Sequence, residues 1–338
     1  MSARRPDITL NRFSFQLQTR CSTKVNKIRT AVVGAGHLGK YHAEKHTLIN
    51  DIDLVAICDL DQSLGQAVAL ENDVAFYADY KELIGSVDAV TIATDTCTHY
   101  EIAQFFLKNG VHVLIEKPMT ATSSEAKELT KIADTNDLRL QVGHVERFNT
   151  ALISARKKLG KVHFIECHRL APFKGRGADV DVILDLMIHD LDVILSLVND
   201  KPKTVSAVGI SVITKSVDIA NARIEFHTGA IANVTASRVS TSVQRKFRVF
   251  HEGQYLSIDF DTAEIQLVAK EDDTNNSQDP LREERWNLEK GDALLAETQA
   301  FVDAIREGVP CQVSGHDGAA SLELAESIIA DISYRSLI

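Results

Sequence analysis

Lys117 lies in Glu116-Lys117-Pro118, directly after the apolar run Val111 to Ile115. A free lysine titrates near 10.4, so it serves as a base at neutral pH only if burial or a nearby positive charge lowers that value by about two to three units. The chemistry that calls for such a base is removal of a hydroxyl proton while a hydride leaves the same carbon. A second candidate set is Asp185, His189 and Asp192. Residues four apart share a helix face, so the carboxylate of Asp185 and the imidazole of His189 are expected to project together. They form a polar stripe through a segment that also carries Leu184, Leu186, Ile188, Leu191, Ile194 and Leu195. Polar groups in so apolar a segment need partners. One histidine and one aspartate fall short of a zinc ligand set, and no other cluster has ligand spacing, so no metal is expected.

A hydride needs an acceptor, and the stretch from Lys27 to Asp61 supplies a place for one. The apolar run Ile28 to Val33 reads as a buried strand and leads into Gly34, Gly36 and Gly39, a G-x-G-x-x-G. A helical pattern follows through Leu38, Tyr41, His42 and Lys45, and a second strand, Leu54 to Cys58, ends in Asp59, twenty residues after Gly39. That is the dinucleotide-binding fingerprint in its full context. Gly34 is expected to make the tight turn, Gly36 to let the backbone approach a pyrophosphate, and Gly39 to let helix and strand pack closely. The phosphates would sit on the helix N-terminus. Asp59 would accept hydrogen bonds from the adenosine ribose, and with no Lys or Arg in Leu60-Asp61-Gln62-Ser63 the expected cofactor is NAD.

Strands and helices alternate up to about residue 142, ending with the strand Leu138 to Val142, which implies βαβ units and a doubly wound parallel sheet. Past Gly143 the pattern changes. A helix over Glu146 to Leu159, a strand at Val162 to Leu170 and a helix from Val182 to Val198 precede six strand-like runs between Thr204 and Val268. Their alternation argues a largely antiparallel open sheet. Two helices, Asp292 to Glu307 and Gly318 to Ile329, close the chain, and Glu271 to Pro280 reads as an exposed loop. The expected division is an extension at 1–26, a nucleotide-binding domain at 27–145 and a substrate and oligomerisation domain at 146–338. Ile224 and Phe226, or their alternates, would leave an apolar patch on the open face of the second sheet, so a homodimer or homotetramer is expected.

With 338 residues, two domains are the natural expectation. The 47 carboxylates outweigh 37 Lys plus Arg, which disfavours nucleic acid as a partner. Five widely spaced cysteines without a C-x-x-C suit a reducing cytoplasm better than a disulfide framework. No apolar run reaches eighteen residues, so no membrane span is expected, and the first 27 residues lack the apolar core of a secretory signal.

Several motifs in one order resemble the glucose-fructose oxidoreductase / inositol dehydrogenase (Gfo/Idh/MocA) family. They are Gly34-Ala35-Gly36-His37-Leu38-Gly39, Ala93 to His99, Glu116-Lys117-Pro118, Asp185 with His189 and Asp192, and Phe301 to Gly308. The resemblance implies a Rossmann domain followed by an α/β domain with an open, mostly antiparallel sheet, and a nicotinamide-dependent sugar or polyol oxidoreductase. It implies Lys117 and His189 as the acid/base pair, with Asp185 contacting substrate or orienting His189. His37, Leu38, Thr94, His99 and Glu116 would join Gly34, Gly36, Gly39 and Asp59 around NAD. Asp95-Thr96 stands where many members carry Pro-Asn, and Asp179-Val180-Asp181 replaces the usual glycine-rich approach to Asp185. Val142 to Asn149 and Asp181 to Leu197 are similar to the branch containing UDP-N-acetylglucosamine 3-dehydrogenase, which acts on the way to the diamino sugars of lipid A. A nucleotide sugar brings a diphosphate, for which Arg147, Asn149, Arg169, Lys174 and Arg176 are the candidate contacts. A free polyol such as myo-inositol, another nucleotide sugar, or a non-catalytic NAD(H) sensor remain the alternatives.

Overall fold

A computed structural model describes residues 27–173, 180–270 and 281–335. The expected N-terminal extension, the Glu271 to Pro280 loop, and Lys174 and Arg176 lie outside the described residues. The first sheet is built from β1 (Ile28–Val33), β2 (Ile52–Cys58), β3 (Ala75–Tyr77), β4 (Ala89–Ile92), β5 (His112–Glu116) and β6 (Leu140–Gly143). Interleaved with them are α1 (His37–Leu48), α2 (Gln62–Glu71), α3 (Thr96–Lys108) and α4 (Ser123–Thr135). The strand order is β3-β2-β1-β4-β5-β6, and every pairing is parallel. This is the doubly wound order in which chain direction reverses beside β1, leaving a crevice outside the carboxyl ends of the strands. Helix starts are fixed by local chemistry: Asp61 caps α2, and Thr122 with Glu125 forms a capping box at α4.

The second sheet comprises β7 (Phe164–Leu170), β8 (Pro202–Ile210), β9 (Ile219–Phe226), β10 (Ile231–Ser237), β11 (Gln244–His251), β12 (Gln254–Asp259), β13 (Glu264–Lys270) and β14 (Leu281–Asn287). Its order is β14-β13-β12-β11-β7-β10-β9-β8, and only β7 with β10 runs parallel. Its inner face packs on α5 (Thr150–Arg156), α6 (Ile188–Val198) and α8 (Gly315–Arg335) through Leu152, Leu191, Ile194, Leu324 and Ile328. The last helices also return to the first sheet. Phe301 and Val302 of α7 (Ala293–Glu307) pack with Ile28, Ile49, Ile52 and Leu114, and a Cβ on Gly318 of α8 would lie 2.6 Å from the Val142 side chain. No helix among the described residues is long and apolar enough to cross a membrane.

The structure corrects four expectations. The helix expected from Glu146 to Leu159 is interrupted at Asn149, which is extended and caps α5 by accepting from the Ala151 N–H; a 3-10 turn, Val145–Phe148, precedes it. The helix expected from Val182 opens instead as a π turn, Ile183–Met187, before α6. On α1 the buried face is Gly39, His42, Ala43 and His46, while Leu38 and Tyr41 are exposed. Ile224 and Phe226 point into the core, and their alternates Asn221, Arg223 and Glu225 are polar; exposed apolar side chains of this domain include instead Val208, Ile210, Val212 and Ile213.

Candidate active site

The glycine turn after β1 opens one side of a cleft of about 760 Å³, and its lining includes Gly34, Gly36, His37, Leu38, Asp59 and Thr94. Gly34 has φ +97°, and a Cβ there would come 2.6 Å from the Ala93 carbonyl oxygen. A Cβ on Gly39 would fall 1.7 Å from the Gly34 oxygen, so only glycine allows α1 to start so close to the strand. Gly36 has no atom within 4 Å of where a Cβ would stand, and that free space lies in the cleft, where a pyrophosphate must approach. Asp59 ties the cleft together by accepting from the Ala35 N–H at 2.6 Å and the Asp61 N–H at 2.8 Å. Among the lining residues there is no lysine or arginine. A pyrophosphate at the helix start and a ribose diol at Asp59 fit these residues, and NAD, when bound, supplies the hydride acceptor.

Thr94 and His99 stand between this cleft and the end of β5. His99 is buried, with Nε2 at 3.0 Å from the Thr94 oxygen and Nδ1 at 3.0 Å from the Pro118 oxygen. Both acceptors are carbonyls, so satisfying both requires a hydrogen on each ring nitrogen. Burial pulls the other way and lowers the pKa, while the two carbonyls and the Glu116 charge raise it. His99 therefore links two backbone segments, and does not itself line the cleft.

Lys117 Nζ donates to the main-chain carbonyl of Asp185 at 2.7 Å, which joins the end of β5 to the π turn before α6. Single π turns inside helices recur at functional sites. Burial lowers the Lys117 pKa; Asp185 and Glu116 pull it back up and Arg169 lowers it further. The shift has the sign a general base requires. His189 is pushed well below its ordinary value by burial and then by Lys117, Arg169, His144 and Arg245, so its imidazole is neutral. The expected contact between Asp185 and His189 is not formed: His189 Nδ1 is buried without a hydrogen-bond partner, and Asp185 serves Lys117 through its backbone. Glu116 is also buried, accepting from the Lys117 N–H at 3.1 Å and lying 2.8 Å from His42 Nε2.

Most candidate contacts for a diphosphate have other tasks. Arg169 makes a two-pronged bond to Asp190, 2.9 Å at each oxygen, and a third bond to Glu146 at 3.0 Å. Burial opposes its charge, but the two carboxylates outweigh it and raise the pKa. A guanidinium so engaged is a fixed positive charge behind Lys117 and His189, and not an open phosphate donor. Arg147 pairs with Asp192 at 3.6 Å and Asp317 at 3.3 Å, and lines a separate cavity of about 650 Å³ with Arg156, Lys201 and His316. Asn149 caps α5 and reaches Glu146 at 3.3 Å.

Residues 28–144 match the model for the Gfo/Idh/MocA oxidoreductase family, described as an NAD-binding Rossmann fold, and residues 152–256 match the C-terminal domain of the same family. UDP-N-acetylglucosamine 3-dehydrogenase of Acidithiobacillus ferrooxidans is 37% identical over 308 residues, covering 90% of this chain and 98% of the relative. The chain belongs to the Gfo/Idh/MocA family. A solved structure of that dehydrogenase from the same organism superposes with a TM-score of 0.86 at 36% identity, covering 91% of this chain and 98% of that one. Inositol 2-dehydrogenase of Rhizobium meliloti is 24% identical over 92% of this chain and 98% of its own length. As a member of this family the chain is an NAD-binding oxidoreductase, which agrees with the cleft at the glycine turn.

Sequence reasoning missed His42, Gln141, His144 and Glu297, all fully or almost fully buried around β5 and β6. A signal for His42 existed: on α1 it repeats with Gly39, Ala43 and His46 at the spacing of one helix face. Glu297 gave none, because its burial depends on α7 returning to α1 from the far end of the chain. His42, Glu116 and Glu297 present one nitrogen and two oxygens within 4.8 Å. That donor set is short of a closed coordination shell, and the Glu116 carboxylate is already occupied by His42 and Lys117.

Proposed function

We propose that this protein oxidises the C3 hydroxyl of UDP-N-acetylglucosamine to the 3-keto sugar with NAD as acceptor. The observation that carries the reaction type is the half-buried Lys117 at the carboxyl end of β5, with its pKa lowered, held against the π turn that leads to His189. Neutral Lys117 Nζ takes the hydroxyl proton. The electron pair of the O–H bond becomes the second C–O bond as the C3 hydride leaves, and NAD, which Gly34, Gly36 and Asp59 would hold, would supply the acceptor. His189, held neutral, is the partner that hydrogen-bonds the substrate oxygen. Arg169 keeps positive charge behind both groups, favouring the unprotonated amine and imidazole. The choice of sugar is supported by the 37% identity to a UDP-N-acetylglucosamine 3-dehydrogenase along 90% of the chain. The product would feed an aminotransferase that makes a diamino sugar, the kind used in lipid A, and the reaction would be cytoplasmic.

Self-association into a dimer or tetramer belongs to the same reading. Its support is the exposed apolar set Val208, Ile210, Val212 and Ile213, in place of the patch expected at Ile224 and Phe226. A single monomeric species in light scattering would remove it.

The test is incubation with NAD and a panel of free and UDP-linked sugars, with a carbonyl trap, read by mass spectrometry. Loss of two hydrogens from UDP-N-acetylglucosamine is expected. Turnover of myo-inositol without turnover of the nucleotide sugar would replace this reading with the polyol one, which the inositol dehydrogenase relatives favour.

A further inference from the structure

Glu297, on α7, is a buried acid that the reaction as described does not use. It is 0% exposed, and neither carboxylate oxygen has a hydrogen-bond partner. Its carboxyl faces Glu116 from β5 and His42 from α1, all within 4.8 Å. Glu116 already receives the Lys117 N–H and the contact to His42. Two carboxylates this close in the interior offer each other only acceptors, and their repulsion is strong where the dielectric is low. One proton on either acid removes a charge and with it the repulsion.

The surroundings decide which acid carries it. Burial, then the charge of Glu116, push Glu297 well above the ordinary range, whereas His42 and Lys117 overcome burial and keep Glu116 below its own. From α1 the site is faced by His42, and by His46, which is held between Thr30 and Thr91. From β6 it is faced by Gln141, whose amide donates to the Glu297 main-chain carbonyl at 2.8 Å, and beyond it by His144 on Ser321. In the 3-10 turn that packs on α7, Glu146 is paired with Arg169, and Arg147 with Asp192 and Asp317. No cation among the described residues is paired with Glu297.

We propose that Glu297 is a positioning residue whose carboxyl stays protonated and donates to the Glu116 carboxylate, fixing Glu116 behind Lys117 and coupling α7 to the basicity of that lysine. This rests on the role given to Lys117 under the proposed function. A donor on Glu116 spreads its charge and weakens its hold on the Lys117 proton. Without that donor Lys117 stays protonated to higher pH.

Infrared difference spectra of the substrate-free protein against Glu297→Gln test the proton directly. A protonated-carboxyl carbonyl band at neutral pH, present in the native protein and lost in the variant, is expected; its absence overturns the proposal. Because no substrate is used, this arm stands even if the sugar has been assigned wrongly. The pH profile of kcat/KM tests the coupling. Glu297→Leu should move the acidic limb upward by about one unit, while Glu297→Gln, a neutral isostere that still donates, should keep it in place. An equal shift in both variants overturns the coupling. If Glu297→Leu does not fold, the spectrum and the Gln profile decide alone. Stoichiometric metal in the purified protein, lost in Glu297→Gln, would replace the proton with a cation and overturn the proposal.

Discussion

Lys117 Nζ and the Asp185 main-chain carbonyl are 2.7 Å apart, and this bond joins the end of the last but one strand of the parallel sheet to the helix that carries His189. Lys117 is thus placed by two elements that are 68 residues apart in sequence. Lys117→Ala should lower kcat by about 10²–10⁴-fold while NADH binding is nearly unchanged. Lys117→Arg should be as inactive, because a guanidinium is not deprotonated in this pH range. Single-turnover kinetics with NADH titration by fluorescence separates the two effects, and normal turnover in either variant would remove Lys117 from the mechanism.

Two glycines of the turn should fail in different ways. Gly39→Ala puts a methyl 1.7 Å from a backbone oxygen and should abolish soluble expression. Gly36→Ala meets no protein atom and is expected to leave the melting temperature unchanged while weakening NADH at least tenfold, since the methyl occupies the phosphate approach. Thermal melts with and without NADH distinguish them.

Asp59 holds the glycine turn through the Ala35 and Asp61 N–H groups and lines the cleft. Asp59→Ser should weaken NADH by about tenfold, the range of a hydrogen bond to a charged group, and narrow the preference for NADH over NADPH. Tighter binding of NADPH than NADH by the native protein would contradict the acid argument.

His46 gives a pH dependence of stability. Burial, and then His42, lower its pKa from 6.5 to about 3. Between those values the unfolded chain binds a proton that the folded chain refuses, so stability is complete above about 6.5 and falls as pH drops toward 3, by up to roughly 1.4 kcal/mol per unit. Urea unfolding across that window should show a shallower decline for His46→Asn than for the native protein. Equal slopes would mean that the imidazole is not held neutral.

The fold was legible where spacing carries physics. The apolar run before Gly34, the acid twenty residues after Gly39 and the change of pattern after Gly143 were enough for the parallel sheet, the cleft at the glycine turn and the second, mostly antiparallel sheet. What was not legible depends on contacts between distant elements. Arg169 looked like a free donor because Asp190 and Glu146 meet it only when β7, α6 and the 3-10 turn are assembled. The sequence pattern of Ile224 and Phe226 gave an apolar face, but not which side of the sheet α6 and α8 would cover. Strand β14 was missed because Leu281 to Asn287 is mostly charged, and it pairs only at the sheet edge beside β13.

The proposed hydride transfer from C3 of a UDP-linked sugar can be followed by isotope transfer. UDP-N-acetylglucosamine deuterated only at C3 is incubated with NAD and the protein, and the recovered NADH is weighed by mass spectrometry. Deuterium in the reduced nicotinamide, with a primary isotope effect on a single turnover, is the predicted result. NADH that forms without deuterium, or no NADH from this sugar while a free polyol reduces NAD, would contradict it.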